Sequence, residues 1–413
     1  MARSSTPAAP AAPAAPAALA SLSALGPAAV DEDTLTTLVA DLLLAPPDHV
    51  RLRDVTVTPV DYDLEAITTA GRHWVRGEAE VAVPGSPADT VRWSVFVKQV
   101  QCWSRHPAFA FVPPEAHELA RSGIPWRTEP LAYRSDLGAR LPEGLTMPRA
   151  LLVEELDDLS ASLWLPEVPV RPRRWDLERH LLAAGLLGRL AASPGVRACA
   201  AAVGHDLTAW TYLHGRLAFQ VLPALLDDRL WQHLLLVGTF AGVRDGLRAA
   251  GHRAEALTAE LAGLPVRAAH GDACPNNLLD SPGTEGFVLI DYGFFGPGPV
   301  GFDLGQLLVG DVQTGRSEEE DVAALAARDE ACLAAYVAGL RAEGDDTPVA
   351  VVRRAHALHV MLYAGLSAVP FEHLGDTPTP ELLELARRRA TLAAYSLDLL
   401  ARTDPPVGAH DGP

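Results

Sequence analysis

Hydrophobic periodicity changes once along this chain, and the change divides it. From Val55 to about Leu156 the short apolar runs behave as strands. Val55–Thr58 reads as a strand that Pro59 either ends or confines to a sheet edge, because proline donates nothing to a ladder. Arg72–Arg76 and Ala79–Val83 follow, separated by Gly77-Glu78, and Pro84-Gly85-Ser86-Pro87 is a turn. Trp93–Lys98 is a further strand. A helical stretch over Pro113–Ser122 and the segment Trp126–Tyr133 interrupt the strands, and Ala150–Glu154 is the last of them. From Trp175 onward the spacing is helical. Leu177, Leu181, Leu182 and Leu186 form a stripe continued by Leu187 and Leu190, and later stripes run over Val322–Leu340, Val351–Leu366 and Leu382–Leu400. Strands grouped first and helices after predict an α+β fold with a small β-rich N-terminal lobe and a larger, mainly helical C-terminal lobe.

The ends of these regions set the predicted limits. Residues 1–30 are mostly Ala, Pro and Ser and read as a disordered tail. Asp31-Glu32-Asp33 is an acidic helix start, and Leu35, Leu38, Val39 and Leu42 recur at helical spacing up to Pro46-Pro47. The N-terminal lobe spans 31–156 and the C-terminal lobe 157–413. The linker starts near Glu154-Glu155-Leu156, with Leu165-Pro166 as the alternative crossing. Thr68–Gly71 reads equally as a turn over phosphates and as a plain hairpin turn.

Composition narrows the function classes. The 413 residues carry 34 basic and 52 acidic side chains, a formal net charge of -18, which argues against a nucleic-acid binder. The four cysteines form no C-x-x-C pair, so neither a structural zinc site nor a disulfide framework is expected. No apolar run reaches the ~20 residues that span a bilayer, and prolines interrupt the N-terminal segment where an export signal needs an apolar core. A cytoplasmic protein without membrane or nucleic-acid partners is the expectation. The sequence also holds one lysine, Lys98, and two asparagines, Asn276 and Asn277. Where a composition bias removes a residue type almost everywhere, a survivor marks a place where its substitute fails. Arginine is a wide planar fork and does not replace a lysine at a tight phosphate site.

The chemistry concentrates in His270-Gly271-Asp272-Ala273-Cys274-Pro275-Asn276-Asn277-Leu278-Leu279 and in the strand Gly286–Ile290 that delivers Asp291. Phosphoryl transfer leaves little covalent work to a protein and asks for positioning and charge neutralisation. One carboxylate must sit by the attacking hydroxyl, while a carboxylate and an amide oxygen hold metal. Asp272 and Asn277 share one loop, and Asp291 stands at a strand end beside them. Magnesium takes a few carboxylates together with phosphate and water, and this sparse set suits it. An ammonium group for the phosphates is also needed, and Lys98 ends the strand Val95-Phe96-Val97.

This arrangement resembles the aminoglycoside phosphotransferase family, part of the protein-kinase-like superfamily. The family signature is His-Gly-Asp-x-x-x-x-Asn, an apolar strand ending in Ile-Asp, and Gly-x-x-x-x-Asp-Leu. Here those elements are His270-Gly271-Asp272 with Asn277, Ile290-Asp291, and Gly298 followed by Asp303-Leu304. The resemblance covers roughly residues 50–400, with its specific motifs in 270–304. It implies a two-lobed protein-kinase-like fold, with a nucleotide-binding lobe at 31–156 and a catalytic and substrate-binding lobe at 157–413. Asp272 is then the catalytic base, Asn277 and Asp291 bind Mg2+, and Asp303 is structural. His270 braces the loop rather than acting as a base. The backbone around Glu154, Glu155 and Leu156 meets the adenine of ATP. Glu129 fits best as the carboxylate that orients Lys98, with Glu115 and Glu118 as competitors. Pro130 then belongs to the first turn of a helix, since it biases the residue before it away from α.

The reading is an ATP- and Mg2+-dependent kinase of a small-molecule hydroxyl. A protein kinase and a nucleotide-binding pseudokinase are the alternatives. His270-Gly271-Asp272 lacks the arginine on which a protein kinase docks its activation-loop phosphate, and every expected catalytic residue type is present. Residues 301–413 carry 18 acidic and 9 basic side chains. Some of that acidity, densest at Glu318-Glu319-Glu320-Asp321, is expected either to face a cationic acceptor or to serve as an acidic helix start.

Overall fold

The computed structural model describes residues 21–61, 66–82, 88–206, 208–313 and 321–404. The chain forms two compact units, Met1–Gln101 with Ala150–Glu167, and Cys102–Arg149 with Val168–Pro413. Among the described residues no helix is long and apolar enough to cross a membrane.

The first unit is built on a five-stranded antiparallel sheet of order β1-β2-β3-β6-β5, comprising β1 (Val50–Pro59), β2 (Thr69–Val81), β3 (Asp89–Gln101), β5 (Leu152–Asp157) and β6 (Ser160–Pro166). β4 belongs to the second unit. Pro59 is the last residue of β1, and β1 is an edge strand, so both options for that proline hold together. Gly77-Glu78 does not separate two strands, because β2 runs unbroken through it. A side chain at Gly77 would stand 2.8 Å from the Arg53 carbonyl and 2.8 Å from the Trp93 ring. The glycine is a close approach inside the sheet, opposite an irregularity of β1 between Arg53 and Thr56. Gly71 likewise lies within β2, beside a register shift, rather than in a turn.

The last strand was hidden from periodicity. Ser160–Leu165 is buried at every position because β6 lies between β3 and β5 with both faces covered, so it shows no alternation. The chain therefore leaves the sheet after Pro166, at the later of the two crossings, and not at Leu156.

One face of this sheet is covered by the N-terminal segment. Asp31 caps α1 (Glu32–Leu42) by accepting the Thr34 N–H at 2.8 Å, as the acidic start predicts. Leu35, Leu38 and Val39 pack with Val75, Ala79, Trp93, Val95 and Val97. Residues 1–20 of the expected tail lie outside the described residues. Residues 23–28 depart from that expectation: Ser23–Ala28 is a 3-10 helix whose Leu25 is buried, as is Leu22 just before it. Gln99 Nε2 donates to the Leu25 carbonyl at 2.7 Å. The Ala and Pro content concealed two apolar anchors.

The second unit is mainly helical. Among its helices are α2 (His117–Gly123), α3 (Thr128–Arg134), α4 (Leu177–Ala192), α5 (Ala254–Ala262), α6 (Phe302–Gln313), α7 (Val322–Ala342), α8 (Val349–His359) and α9 (Pro380–Thr403). The leucine stripe predicted for α4 is only partly its buried face, since Leu177 and Leu182 are exposed. Leu186, Leu187 and Leu190 of the stripe are buried, together with Ala183, Ala184, Gly188 and Ala191, which the leucines did not mark. Small residues allow backbone contact with α7: a side chain at Gly188 would lie 2.1 Å from the Tyr336 carbonyl, and one at Gly339 2.0 Å from that of Gly185. Asp321 caps α7 through the Ala324 N–H at 2.8 Å, while Glu318, Glu319 and Glu320 lie outside the described residues. Two small sheets complete the unit. One pairs β7 (Val266–Ala269) with β10 (Gly296–Pro299), and the other orders β4 (Leu145–Thr146), β9 (Phe287–Leu289) and β8 (Leu278–Leu279) as β4-β9-β8.

Candidate active site

β7 ends at Ala269 and delivers His270 into a fully buried position. Its backbone N–H and that of Gly271 donate to Asp303 at 2.8 and 2.9 Å. Asp303 is itself buried in the first turn of α6, so one carboxylate fixes the entry of the loop. Burial pushes its pKa up to about 6, against the pull of the two N–H donors. Gly271 has φ 87, and a side chain there would meet the Phe294 carbonyl at 2.0 Å. Only glycine fits, which accounts physically for the absence of an arginine at this position.

The His270 ring ties the loop to the strand behind it. Nε2 stands 3.0 Å from the Ile290 carbonyl and so carries the proton, while Nδ1 receives the Asp272 N–H at 3.4 Å. Burial lowers its pKa to about 4, so the ring is neutral at pH 7 and acts as a brace. Asp272, half-buried, is then held beside Asn277, whose Nδ2 donates to the Asp272 carbonyl at 2.8 Å and to Oδ2 at 3.0 Å. Pro275–Asn277 forms one 3-10 turn that leaves Asn276 exposed and Asn277 buried.

Asp291 follows β9 in a left-handed conformation, φ 62 and ψ 66, which is uncommon for a residue with a side chain. The Ile290 N–H donates to the Asn277 carbonyl at 3.1 Å, so the backbones carrying Asn277 and Asp291 are joined directly. Behind Asp291 runs a stack the sequence reading missed. Tyr292 lies 4.9 Å from His270 and 5.8 Å from Tyr133, edge to face with the latter. Tyr133 belongs to α3, as does buried Glu129, and Pro130 falls in the first turn of that helix. Burial, followed by the charges of Glu129 and Asp291, raises the Tyr133 pKa well above its usual value. The stack had no legible signal, since a tyrosine four residues after Glu129 is ordinary in any helix.

Lys98, Glu154, Glu155 and Leu156 lie in the first unit. Lys98 is buried on β3, paired with Arg72 on β2 and Leu163 on β6. Strand alternation turns it to the face opposite Val95 and Val97. Glu154 and Glu155 are exposed on edge strand β5, and Leu156 falls at a register shift in its pairing with β6. Of the competitors of Glu129, Glu115 lies in the 3-10 turn before α2 and Glu118 in the first turn of α2, both in the second unit.

Residues 119–342, more than half of the chain, match the sequence model of the phosphotransferase enzyme family. The chain belongs to that family. It is a phosphotransferase, and the family membership bears out the aminoglycoside phosphotransferase resemblance together with its α+β, kinase-like fold class. Among solved structures, the chain is similar to the amicoumacin kinase hAmiN in complex with AMP-PNP, Ca2+ and Ami, at 16% identity over 91% of this chain and 94% of that one, TM-score 0.42. Plasmodium vivax ethanolamine kinase matches at 10% identity over 86% and 83%, TM-score 0.40. An aminoglycoside phosphotransferase from Alicyclobacillus acidocaldarius matches at 15% identity over 79% and 89%, TM-score 0.45. No curated protein matches the chain in sequence.

Proposed function

We propose that this phosphotransferase moves the γ-phosphate of ATP, with Mg2+, onto the hydroxyl of a small molecule. The observation that carries the reading is the joining of Asn277 to Asp272 at 3.0 Å on a loop braced against the strand of Asp291. Asp272 serves as general base for the acceptor hydroxyl. Asn277 and Asp291 hold the metal: with Nδ2 committed to Asp272, the amide offers its Oδ1, and Asp291 offers a carboxylate. The donors fit Mg2+, which supplies charge neutralisation on the phosphates when bound and takes much of its shell from phosphate and water.

Lys98 is assigned to the phosphates and Glu129 to its orientation, on the resemblance and on the burial of both. The adenine assignment of Glu154, Glu155 and Leu156 rested on the chain leaving the sheet there. Because it leaves after Pro166, Pro166-Glu167 is the stretch that now answers to the same reasoning. The division by role, expected as a nucleotide-binding lobe at 31–156 and a catalytic and substrate-binding lobe at 157–413, is proposed with its boundary moved to Glu167, so that β6 stays with its sheet. Division by compactness differs further by placing 102–149 in the second unit. The acceptor is proposed to be cationic, since residues 301–413 hold half of the chain's net charge of -18. A cytoplasmic location goes with that reading.

Asp272→Asn tests the core of the proposal. It removes the acceptor for the hydroxyl proton and keeps the shape, so ATP binding persists while transfer falls ~10²-fold or more. Retention of more than about a tenth of wild-type turnover rejects Asp272 as the base. The acceptor is found by following ATP consumption across aminoglycosides, macrolides, sugars and amino alcohols. A KM that ignores salt, or good acceptors that are all neutral, removes the cationic part.

A further inference from the structure

The turn between β8 and β9 lies against a cluster of charges and rings that the proposed reaction does not use. Asp280 directly follows β8 and is 6% exposed. Its Oδ1 receives Nε of Arg171 at 3.0 Å and Nη2 at 2.6 Å. Its carbonyl receives the Arg171 N–H at 2.8 Å, and Arg171 Nη2 donates to the Ser281 carbonyl at 3.2 Å. The other carboxylate oxygen faces Arg179 Nη1 at 3.0 Å and Arg173 Nη1 at 3.9 Å. Arg179, buried on α4, lies 4.4 Å over the Phe287 ring, and Trp175 stacks on that ring at 5.5 Å with planes 10° apart. Phe287 opens β9. The cluster thus grips the β8 side of one hairpin through Asp280 and the β9 side through Phe287.

Both proposed metal-binding side chains ride on this hairpin. Asn277 immediately precedes β8, and Asp291 comes just past the end of β9. The strands are only two and three residues long, so their own ladder fixes little. Something outside the ladder must set how the two ends stand. Arginine suits the task because its planar fork binds a carboxylate on one edge while its face lies on a ring.

We propose that Arg171, Arg179 and Asp280 are positioning residues for the metal site, holding the hairpin so that Asn277 and Asp291 meet the same cation. The inference rests on the reading of Asn277 and Asp291 as metal ligands. Nη2 of Arg179 has no hydrogen-bond partner among the described residues. The Asp280 contact and the Phe287 face are therefore what offset the burial of that charge, and neutralising Asp280 lets the guanidinium, and with it the hairpin, shift.

The test is calorimetry of ATP binding to the full chain with and without Mg2+, for the wild type, Asp280→Asn, Arg171→Gln and a control. Arg354→Gln is the control; it breaks contacts to Glu260 at 2.6 Å and Asp404 at 2.9 Å elsewhere in the same unit. The Mg2+ concentration for half-maximal binding is expected to rise about tenfold in Asp280→Asn, as when outer partners of metal ligands are removed. Arg171→Gln shifts it in the same direction and, being half-exposed, decides the matter alone should Asp280→Asn not fold. The control stays within about twofold, as distant sites act independently, and metal-free ATP binding is alike in all four. Unchanged metal dependence in the folded cluster variants, or an equal loss of metal-free binding, overturns the inference. A wild type whose ATP binding ignores Mg2+ overturns the ligand assignment beneath it.

Discussion

The Asp303 carboxylate takes the backbone N–H of Gly271 at 2.9 Å across 32 residues of sequence. With the His270 N–H on its other oxygen, it makes the loop entry depend on a helix start rather than on any neighbour in the chain. Tyr336 of α7 extends the dependence by accepting the Gly301 N–H at 3.1 Å, two residues before Asp303. The geometry of Asp272 is therefore set by residues that touch no substrate in the proposed reaction.

Gly271→Ala should be severe. The added carbon would fall 2.0 Å from the Phe294 carbonyl, at φ 87. The backbone must move, at a cost of order 1–3 kcal/mol for the conformation alone. Loss of turnover with a lowered melting temperature is the expected outcome in thermal and activity assays. A variant with wild-type values of both would remove the steric account of this glycine.

The loop entry contributes two opposing parts to the pH dependence of stability. His270 titrates at about 4 when folded, against an ordinary 6.5. Its contribution is complete above pH 6.5 and is lost as pH falls toward 4. Asp303 titrates at about 6 when folded, against 3.8, so the folded protein takes up that proton first. Its buried charge costs stability above pH 6, and acidification through 6 relieves the cost. Asp303→Asn removes the relief and keeps the histidine slope. Relative to its own melting temperature at pH 7, this variant should lose stability more steeply between pH 6 and 4.5 than the wild type. An equal or shallower slope contradicts the assignment.

Lys98→Arg should be nearly as damaging as Lys98→Ala. Lys98 is 5% exposed, and a guanidinium is broader and bonds in a different plane. The comparison is kcat/KM for ATP in the two variants. Near-normal activity with arginine would dissolve the meaning attached to the solitary lysine.

Asp291→Ala should abolish magnesium-dependent nucleotide binding, and Asn277→Ala should weaken it less. A carboxylate offsets the charge of the cation, whereas an amide presents only a dipole. Calorimetry with and without Mg2+ ranks them, and equal losses would refute the order.

Leu25→Ala should cost about 2–5 kcal/mol in a denaturant titration, as for a buried leucine. Leu25 is 1% exposed and lies in the core of the first unit. A change within ±0.5 kcal/mol, the range of ordinary surface positions, would return this segment to the status of a dispensable tail.

What the sequence disclosed and what it concealed follow from the range of the forces involved. The loop 270–277 and the strand before Asp291 were legible because local spacing alone carries them. Asp31 as a cap and Pro59 at a sheet edge were legible for the same reason. β6 was not, because burial on both faces erases alternation. The buried face of α4 was read by leucines, whereas glycines and alanines decide where α7 can approach. Arg171, Arg179 and Asp280 gave a partial signal, a run of arginines in an acidic chain, but nothing local tied that run to a residue 109 positions away.

The strand order β1-β2-β3-β6-β5 also bears on how the chain is made. A ribosome releases Leu22–Ala40 first, with nothing yet to lie upon. Three strands follow, but the sheet closes only when residue 166 is out. By then 102–149, which belongs to the other unit, has already been made. Synthesis runs from one end, while assembly must reach back across an insertion. The hydrogen-bonding edge of β3 that β6 will pair with is thus open for the time it takes to add some 65 residues, about 3–13 s at ~5–20 residues per second. For that interval the unpaired edge is a template on which the strand of another chain can add.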